Sequence, residues 1–195
     1  MVRPGMAVVL VLAVAACSYK AEPQLYVMSA EPEALAAGPG KPEPVVAVMR
    51  VRLPEYLDRP ELVARSGANA LVIDDDNRWG EPLSESVPRV LAENLSRHLP
   101  QGRVVVVQEA RGERPRYEYL VALDSYEPDG TGNAVMRGRW HLRDTRTGKV
   151  VEEGLIDERR GMASTAAPDV VAALNENLND ASRQIAEATA GTVWQ

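Results

Sequence analysis

Few side chains in this 195-residue sequence are equipped for chemistry: it has two histidines and one cysteine. A four-ligand Cys/His zinc site would need more ligands than that, and a lone cysteine closes no internal disulfide. His98 falls near the end of a helical stretch, where the helix dipole favours a cation, and His141 on the polar face of a strand; both read as surface histidines. Ser66 stands in Arg-Ser-Gly-Ala and lacks the G-x-S-x-G elbow of a nucleophilic serine. Asp74-Asp75-Asp76-Asn77 opens like a calcium loop, but the sixth position, which needs glycine, is Trp79. Gly130-Thr131-Gly132 is half of a phosphate fingerprint with no helix after it. Arg137, Arg139 and Arg143 share one strand face, where they bind anions or pair with Asp124, Glu153 or Asp157 on neighbouring strands; the acidic chain favours pairing. The sequence thus predicts no catalytic residue, no metal and no cofactor.

Cys17 is placed for a different use. Arg3 precedes an eleven-residue apolar run, Met6 to Ala16, which is shorter than the roughly 18 residues a membrane span requires. A charged start, a short apolar core and small residues at its end describe a secretory signal. The ending Val14-Ala15-Ala16-Cys17 resembles the bacterial lipobox, whose cysteine is acylated and becomes the first residue of the mature chain. An ordinary signal peptide with a chance cysteine is the alternative. The expected organisation is a signal peptide over 1–16, a lipidated cysteine and short tether over 17–24, and a single domain over 25–195. Ser18, in place of an Asp, implies by the same resemblance the outer membrane. Seven extended residues, Ser18 to Gln24, reach at most about 25 Å, so the folded body stays near the bilayer.

The elements that position everything else follow from periodicity. Leu25–Met28, Val45–Leu53 and Val104–Val107 read as strands, and Ser66–Asn69 as the turn of a hairpin between Leu62–Arg65 and Ala70–Ile73. Ala30–Pro44, with four prolines and two glycines, reads as a loop. Ser84–Leu99 has Val87, Val90, Leu91, Leu95 and Leu99 at helical spacing, with Pro88 in its first turn; Asp169–Ala188 has Val171, Leu174, Leu178, Ala181, Ile185 and Ala188. Tyr117–Tyr126, Asn133–Asp144 and Val150–Arg159 are successive strands joined at Pro128-Asp129-Gly130 and Thr147-Gly148. In the middle one Ala134, Met136, Gly138, Trp140 and Leu142 face one way, and Val135, Arg137, Arg139, His141 and Arg143 the other. One apolar face means an antiparallel sheet covered on one side. The fold class is therefore α+β, a two-layer sandwich of a mostly antiparallel sheet with two main helices on one face.

Composition agrees. The apolar share is 45%, enough for a core, and phenylalanine is absent, so that core is largely aliphatic. Lys plus Arg is 22 against 28 Asp plus Glu, a net charge of −6, which argues against nucleic acid as the partner. Two segments suit an interface instead. Leu53–Pro60 sets Tyr56, Leu57, Asp58 and Arg59 between prolines, and Arg78–Leu83 carries Trp79, Glu81 and Leu83. Aromatic and aliphatic anchors on proline-constrained loops are common in interfaces, with packing into the chain's own core as the alternative.

These segments carry a resemblance. Leu53-Pro-Glu-Tyr-Leu-Asp-Arg-Pro-Glu-Leu-Val-Ala-Arg65, Trp79-Gly-Glu-Pro-Leu83 and Val90-Leu-Ala-Glu-Asn-Leu95 resemble the PqiC/YmbA family, densest from Val45 to Leu99 and weak after Gly161. Its members are auxiliary lipoproteins of ABC-type lipid transport systems. The resemblance implies a protein on the inner leaflet of the outer membrane, working with an MCE-domain protein that bridges the periplasm and supporting envelope integrity. A homo-oligomeric ring would match the rotational symmetry of such a tubular partner. Two other functions compete. An outer-membrane lipoprotein regulating a cell-wall synthase would need a longer tether, and a periplasmic hydrolase would need a nucleophile–base pair that neither histidine supplies.

Overall fold

In the computed structural model, residues 22–32, 45–99, 103–110, 112 and 114–193 are described. The order is β1 (Gln24–Tyr26), β2 (Val45–Val48), β3 (Glu61–Gly67), β4 (Ala70–Trp79), α1 (Leu83–His98), β5 (Arg103–Val106), β6 (Tyr117–Pro128), β7 (Asn133–Asp144), β8 (Val150–Gly161) and α2 (Ala167–Val193). Five strands form a main sheet in the order β5-β2-β6-β7-β8. Its long ladders, β6–β7 and β7–β8, are antiparallel, while short β2 runs parallel to both β5 and β6. Helix α1 packs over β2 and β5, helix α2 over β6 to β8, and the helices pack on each other. The fold is α+β, as the periodicity predicts.

Apolar burial follows the expected faces. Ala134, Met136, Trp140 and Leu142 are buried with Val87, Val90, Leu91, Leu95 and Leu99 of the α1 region and Leu174, Leu178 and Ile185 of α2. Two details depart from the helical stripes. Ala188 is exposed, and buried Thr189 takes the neighbouring place, its hydroxyl 2.6 Å from that of buried Tyr119. Pro88 is the sixth residue of α1 rather than part of its first turn, because the helix begins at Leu83. Buried polar groups stitch the layers. Asn94 on α1 donates to Asn179 on α2 at 2.9 Å, and Asn177 donates to the Ala134 carbonyl at 3.0 Å.

On the outer face of the sheet the basic row of β7 lies between acidic neighbours and pairs alternately. Arg137 bonds Asp157 on β8 at 2.8 Å, Arg139 approaches Asp124 on β6 at 3.6 Å, His141 meets Glu153 at 3.1 Å, and Arg143 bonds Glu118. Pairing, not anion binding, is the state of this face. Gly138 sits opposite an irregularity in β6 between Leu123 and Ser125. A Cβ there would lie 2.2 Å from the Ala122 carbonyl oxygen, so only glycine lets the backbones approach.

The hairpin does not join the main sheet. β3 and β4 pair antiparallel, and β1 adds to β4 in parallel through Asn77–Trp79, giving a second sheet in the order β1-β4-β3. Both hairpin strands are longer than the pattern suggests: β4 continues through Asp74–Asn77 to Trp79, so the calcium-like run is a strand. Where β3 packs on the end of β6, Glu127 and Val135 of the outer face are buried. Val135, expected outward, is therefore covered by tertiary contact.

Candidate functional site

The proline-bounded segments meet. Trp79 donates its backbone N–H to the Pro60 carbonyl at 2.7 Å, and Gly80 donates to that of Tyr26 at 2.7 Å. These bonds fold the two loops around a cleft of ≈ 260 Å³ lined by Asp58, Arg59, Pro60, Trp79, Gly80, Glu81 and Pro82. Leu53–Pro60 can form one wall because it turns tightly, Leu57 N–H bonding the Pro54 carbonyl at 2.9 Å. Pro82 ends the other wall and leads directly into α1.

The structure separates the expected interface residues into two groups. Leu57 and Leu83 are buried and Trp79 is only 7% exposed; all three belong to the core. Their expected role as interface anchors is corrected, because β3, α1 and α2 close over them: Trp79 packs beside Leu62, Leu83 and Leu174. Asp58, Arg59 and Glu81 remain accessible. Arg59 Nε donates to Glu61 at 2.9 Å, and that hydrogen bond chiefly holds the Glu61 carboxyl below its usual range. Glu81 pairs with Arg89 of α1, which also bonds Glu93 at 3.1 Å and the Met28 carbonyl at 3.3 Å. Asp58 is exposed and makes no side-chain bond among the described residues. The cleft is thus a rigid rim of two prolines, one free carboxylate and two committed ion pairs around the edge of an indole.

Tyr56 has a separate role. It is half-buried, and its hydroxyl donates to Glu127 Oε1 at 3.0 Å. Arg65 Nε donates to the same oxygen at 2.6 Å and Arg65 Nη2 to the Tyr56 hydroxyl at 2.9 Å. Glu127 Oε2 accepts the Tyr126 N–H at 2.6 Å. Glu127 is fully buried, so this triad fastens the Leu53–Pro60 loop and the hairpin to the main sheet. Gly130, in the left-handed region at φ 77°, lets the β6–β7 turn close onto the Arg65 carbonyl. Burial, and next the Glu127 carboxylate, raise the Tyr56 phenol above its usual ionisation range, so it stays a donor. Sequence reasoning missed Glu127 and Arg65, since a glutamate at a strand end carries no local mark of burial.

The remaining candidates disperse. His98 Nε2 lies 2.9 Å from Glu31, which also pairs with Arg183. Ser66 is exposed near the end of β3, just before the Ala68-Asn69 turn, and Gly130–Gly132 lies in the β6–β7 turn. Among the described residues no three His, Cys, Asp or Glu side chains converge to hold a metal ion, and no helix is long and apolar enough to cross a membrane. Cys17, the lipobox residues Val14, Ala15 and Ala16, and most of the Ala30–Pro44 loop lie outside the described residues.

A search of curated proteins gives no match. Among solved structures, one described as an uncharacterized protein aligns with a TM-score of 0.71 at 20% identity, covering 86% of this chain and 98% of that one. A family DUF330 protein from Xanthomonas campestris aligns with a TM-score of 0.68 at 17% identity, covering 87% and 96% respectively. At these identities the likeness is one of fold. The sequence itself matches the family described as the ABC-type transport auxiliary lipoprotein component over residues 26–186, the span that holds both cleft segments and the buried triad, and to that family the chain belongs.

Proposed function

We propose that the chain is a non-catalytic, lipid-anchored subunit of an ABC/MCE-type lipid transport system, held by acylated Cys17 on the periplasmic face of the outer membrane. There it docks an MCE-domain protein and supports envelope integrity. The observation that carries this reading is the convergence of the two loop segments on one rigid cleft, within a chain belonging to a family of transport auxiliary components. Asp58, Arg59 and Glu81 form the polar rim that a partner meets, with the edge of Trp79 between them. Several copies in a ring would present several such rims to a symmetric partner.

The test is co-purification from detergent-solubilised envelopes. Asp58→Lys and Glu81→Gln should each lower recovery of the MCE protein about tenfold, equivalent to about 1.4 kcal/mol, with an unchanged melting temperature. Wild-type recovery from both variants removes the cleft from the interface. A cell-wall synthase recovered in place of the MCE protein overturns the functional reading. Cys17→Ala should abolish fatty-acid labelling and membrane fractionation together.

A further inference from the structure

We propose that the tip of the β3–β4 hairpin is a second membrane contact, dipping into the phospholipid surface beside the anchor; this rests on the reading of Cys17 as acylated. From Ser66 to Ile73 the chain carries no charge, and every one of these residues is exposed. Leu71, Val72 and Ile73 are 39%, 53% and 43% exposed. Successive strand side chains point to opposite faces, so both faces of β4 are apolar here: Leu71 and Ile73 lie on one, and Val72, on the other, borders a cleft with Val63, Ala167 and Val170 yet stays half-exposed. A strand lying on its own protein hides one face; a tip that enters lipid needs neither hidden. Charge bounds the tip on both strands, Arg65 on β3 and Asp74, Asp75 and Asp76 on β4, which sets the depth beyond which entry is costly.

The geometry of the tether brings this tip to the bilayer. β1 runs parallel to β4 with Gln24 level with Asn77, so the chain enters β1 from the side of the hairpin tip. From Asn77 back to Leu71 is about 20 Å along the strand, and to Asn69 about 26 Å, at roughly 3.3 Å per residue. The segment from Cys17 to Gln24 reaches at most about 25 Å. Even fully stretched, the tether cannot hold β1 farther from the surface than the hairpin overhangs it. A domain oriented with its hairpin toward the bilayer therefore has its uncharged tip at the level of the anchored cysteine.

The experiment uses the acylated full chain in vesicles of phosphatidylethanolamine with phosphatidylglycerol. Acylation consumes the only native cysteine, so a thiol-reactive nitrobenzoxadiazole probe attaches solely to an introduced one. Val72→Cys is compared with Leu155→Cys on β8, whose native side chain is 82% exposed. On binding the vesicles the probe at 72 should shift its emission to the blue, and nitroxide lipids should then quench about half of that emission or more, while the probe at 155 shows neither change, as for an element seated at the acyl boundary. Adding Leu71→Asp and Ile73→Asp, both exposed and tolerable to folding, should abolish that quenching while flotation persists. Equal quenching at both positions, with the protein floating, refutes the tip contact and spares the anchor. Failure to float removes the anchor and the tip contact together. A blue shift at 72 that lipid nitroxides do not quench, with sedimentation as an assembly, assigns the tip to a protein neighbour and overturns the proposal.

Discussion

Arg65→Met tests whether the buried triad holds the hairpin to the body. The methionine keeps the aliphatic stem and removes the guanidinium, leaving the fully buried Glu127 with one phenol and one backbone N–H. Breaking a buried ion pair on one side costs about 3–5 kcal/mol, since the remaining charge stays desolvated. Arg65 is 30% exposed at its side chain, so water relieves part of the loss, and the lower end, about 3 kcal/mol, is expected. Tyr56→Phe removes one hydrogen bond to a charged acceptor and should cost about 1.5 kcal/mol. Arg65→Met with Glu127→Gln removes both charges yet leaves an acceptor for the Tyr126 N–H, and should lie within about 1 kcal/mol of wild type. Urea unfolding at pH 7 closes this double-mutant cycle, with the m-value checking two-state behaviour. Hydrogen exchange should show β3 and β4 losing protection before β6 and β7 in the single mutant. A cost under about 1 kcal/mol for Arg65→Met, or a double mutant as unstable as the two singles added, would refute the reasoning.

Three further outcomes follow from single positions. Trp79→Ala should lower stability by about 3–5 kcal/mol in urea, the cost of emptying a core aromatic site, and a nearly unchanged midpoint would return Trp79 to the surface. Gly138→Ala should cost about 1–3 kcal/mol by thermal melting, because the added methyl meets the Ala122–Leu123 backbone rather than a movable side chain; an unchanged melting temperature would mean β6 can shift there. Burial opposes ionisation of Asp129, but the N–H and hydroxyl of Thr131 and the N–H and amide of Asn133 prevail and hold its pKa at about 2, below the ordinary 3.8. A depressed folded-state value stabilises above the unfolded one and fades as pH falls through it. Wild type should therefore lose about 2 kcal/mol between about pH 4 and pH 2 that Asp129→Asn does not, measured by acid-dependent urea midpoints.

What the sequence revealed, and what it hid, divides by range. The β6–β8 meander, its apolar face and both helices were legible because period-two and helical spacing are local and each element is long. The parallel pairings of β2 and β1 were not, since each ladder is only three or four residues and joins segments far apart in sequence. Tyr56, Leu57 and Trp79 stood out correctly as unusual residues on proline-bounded loops, but residue type does not distinguish an anchor in a partner from an anchor in the chain's own core. Burial decides that, and it is set by β3 and α2 closing over the loops. Glu127 was hidden for the same reason: its partner Arg65 is 62 residues away.

The cleft and the route to the anchor are parts of one unit. Tyr26 accepts the Gly80 N–H, and Arg89 ties Glu81 of the cleft to the Met28 carbonyl, so the strand leaving the tether builds into the cleft wall. Glu31, a few residues on, is held by His98 of α1 and Arg183 of α2. Held at Tyr26, Met28 and Glu31, this first described segment has little freedom to let the cleft turn independently. β4 is ten residues long, so Trp79 at one end stands about 30 Å from the hairpin tip at the other. With the tip at the lipid surface, the cleft stands about 30 Å from it along β4, at the far end, where the proposed partner would meet it. The proposed membrane contact and the proposed docking cleft would then occupy opposite ends of a single strand, and loosening the Arg65–Glu127 latch should disturb both orientations at once.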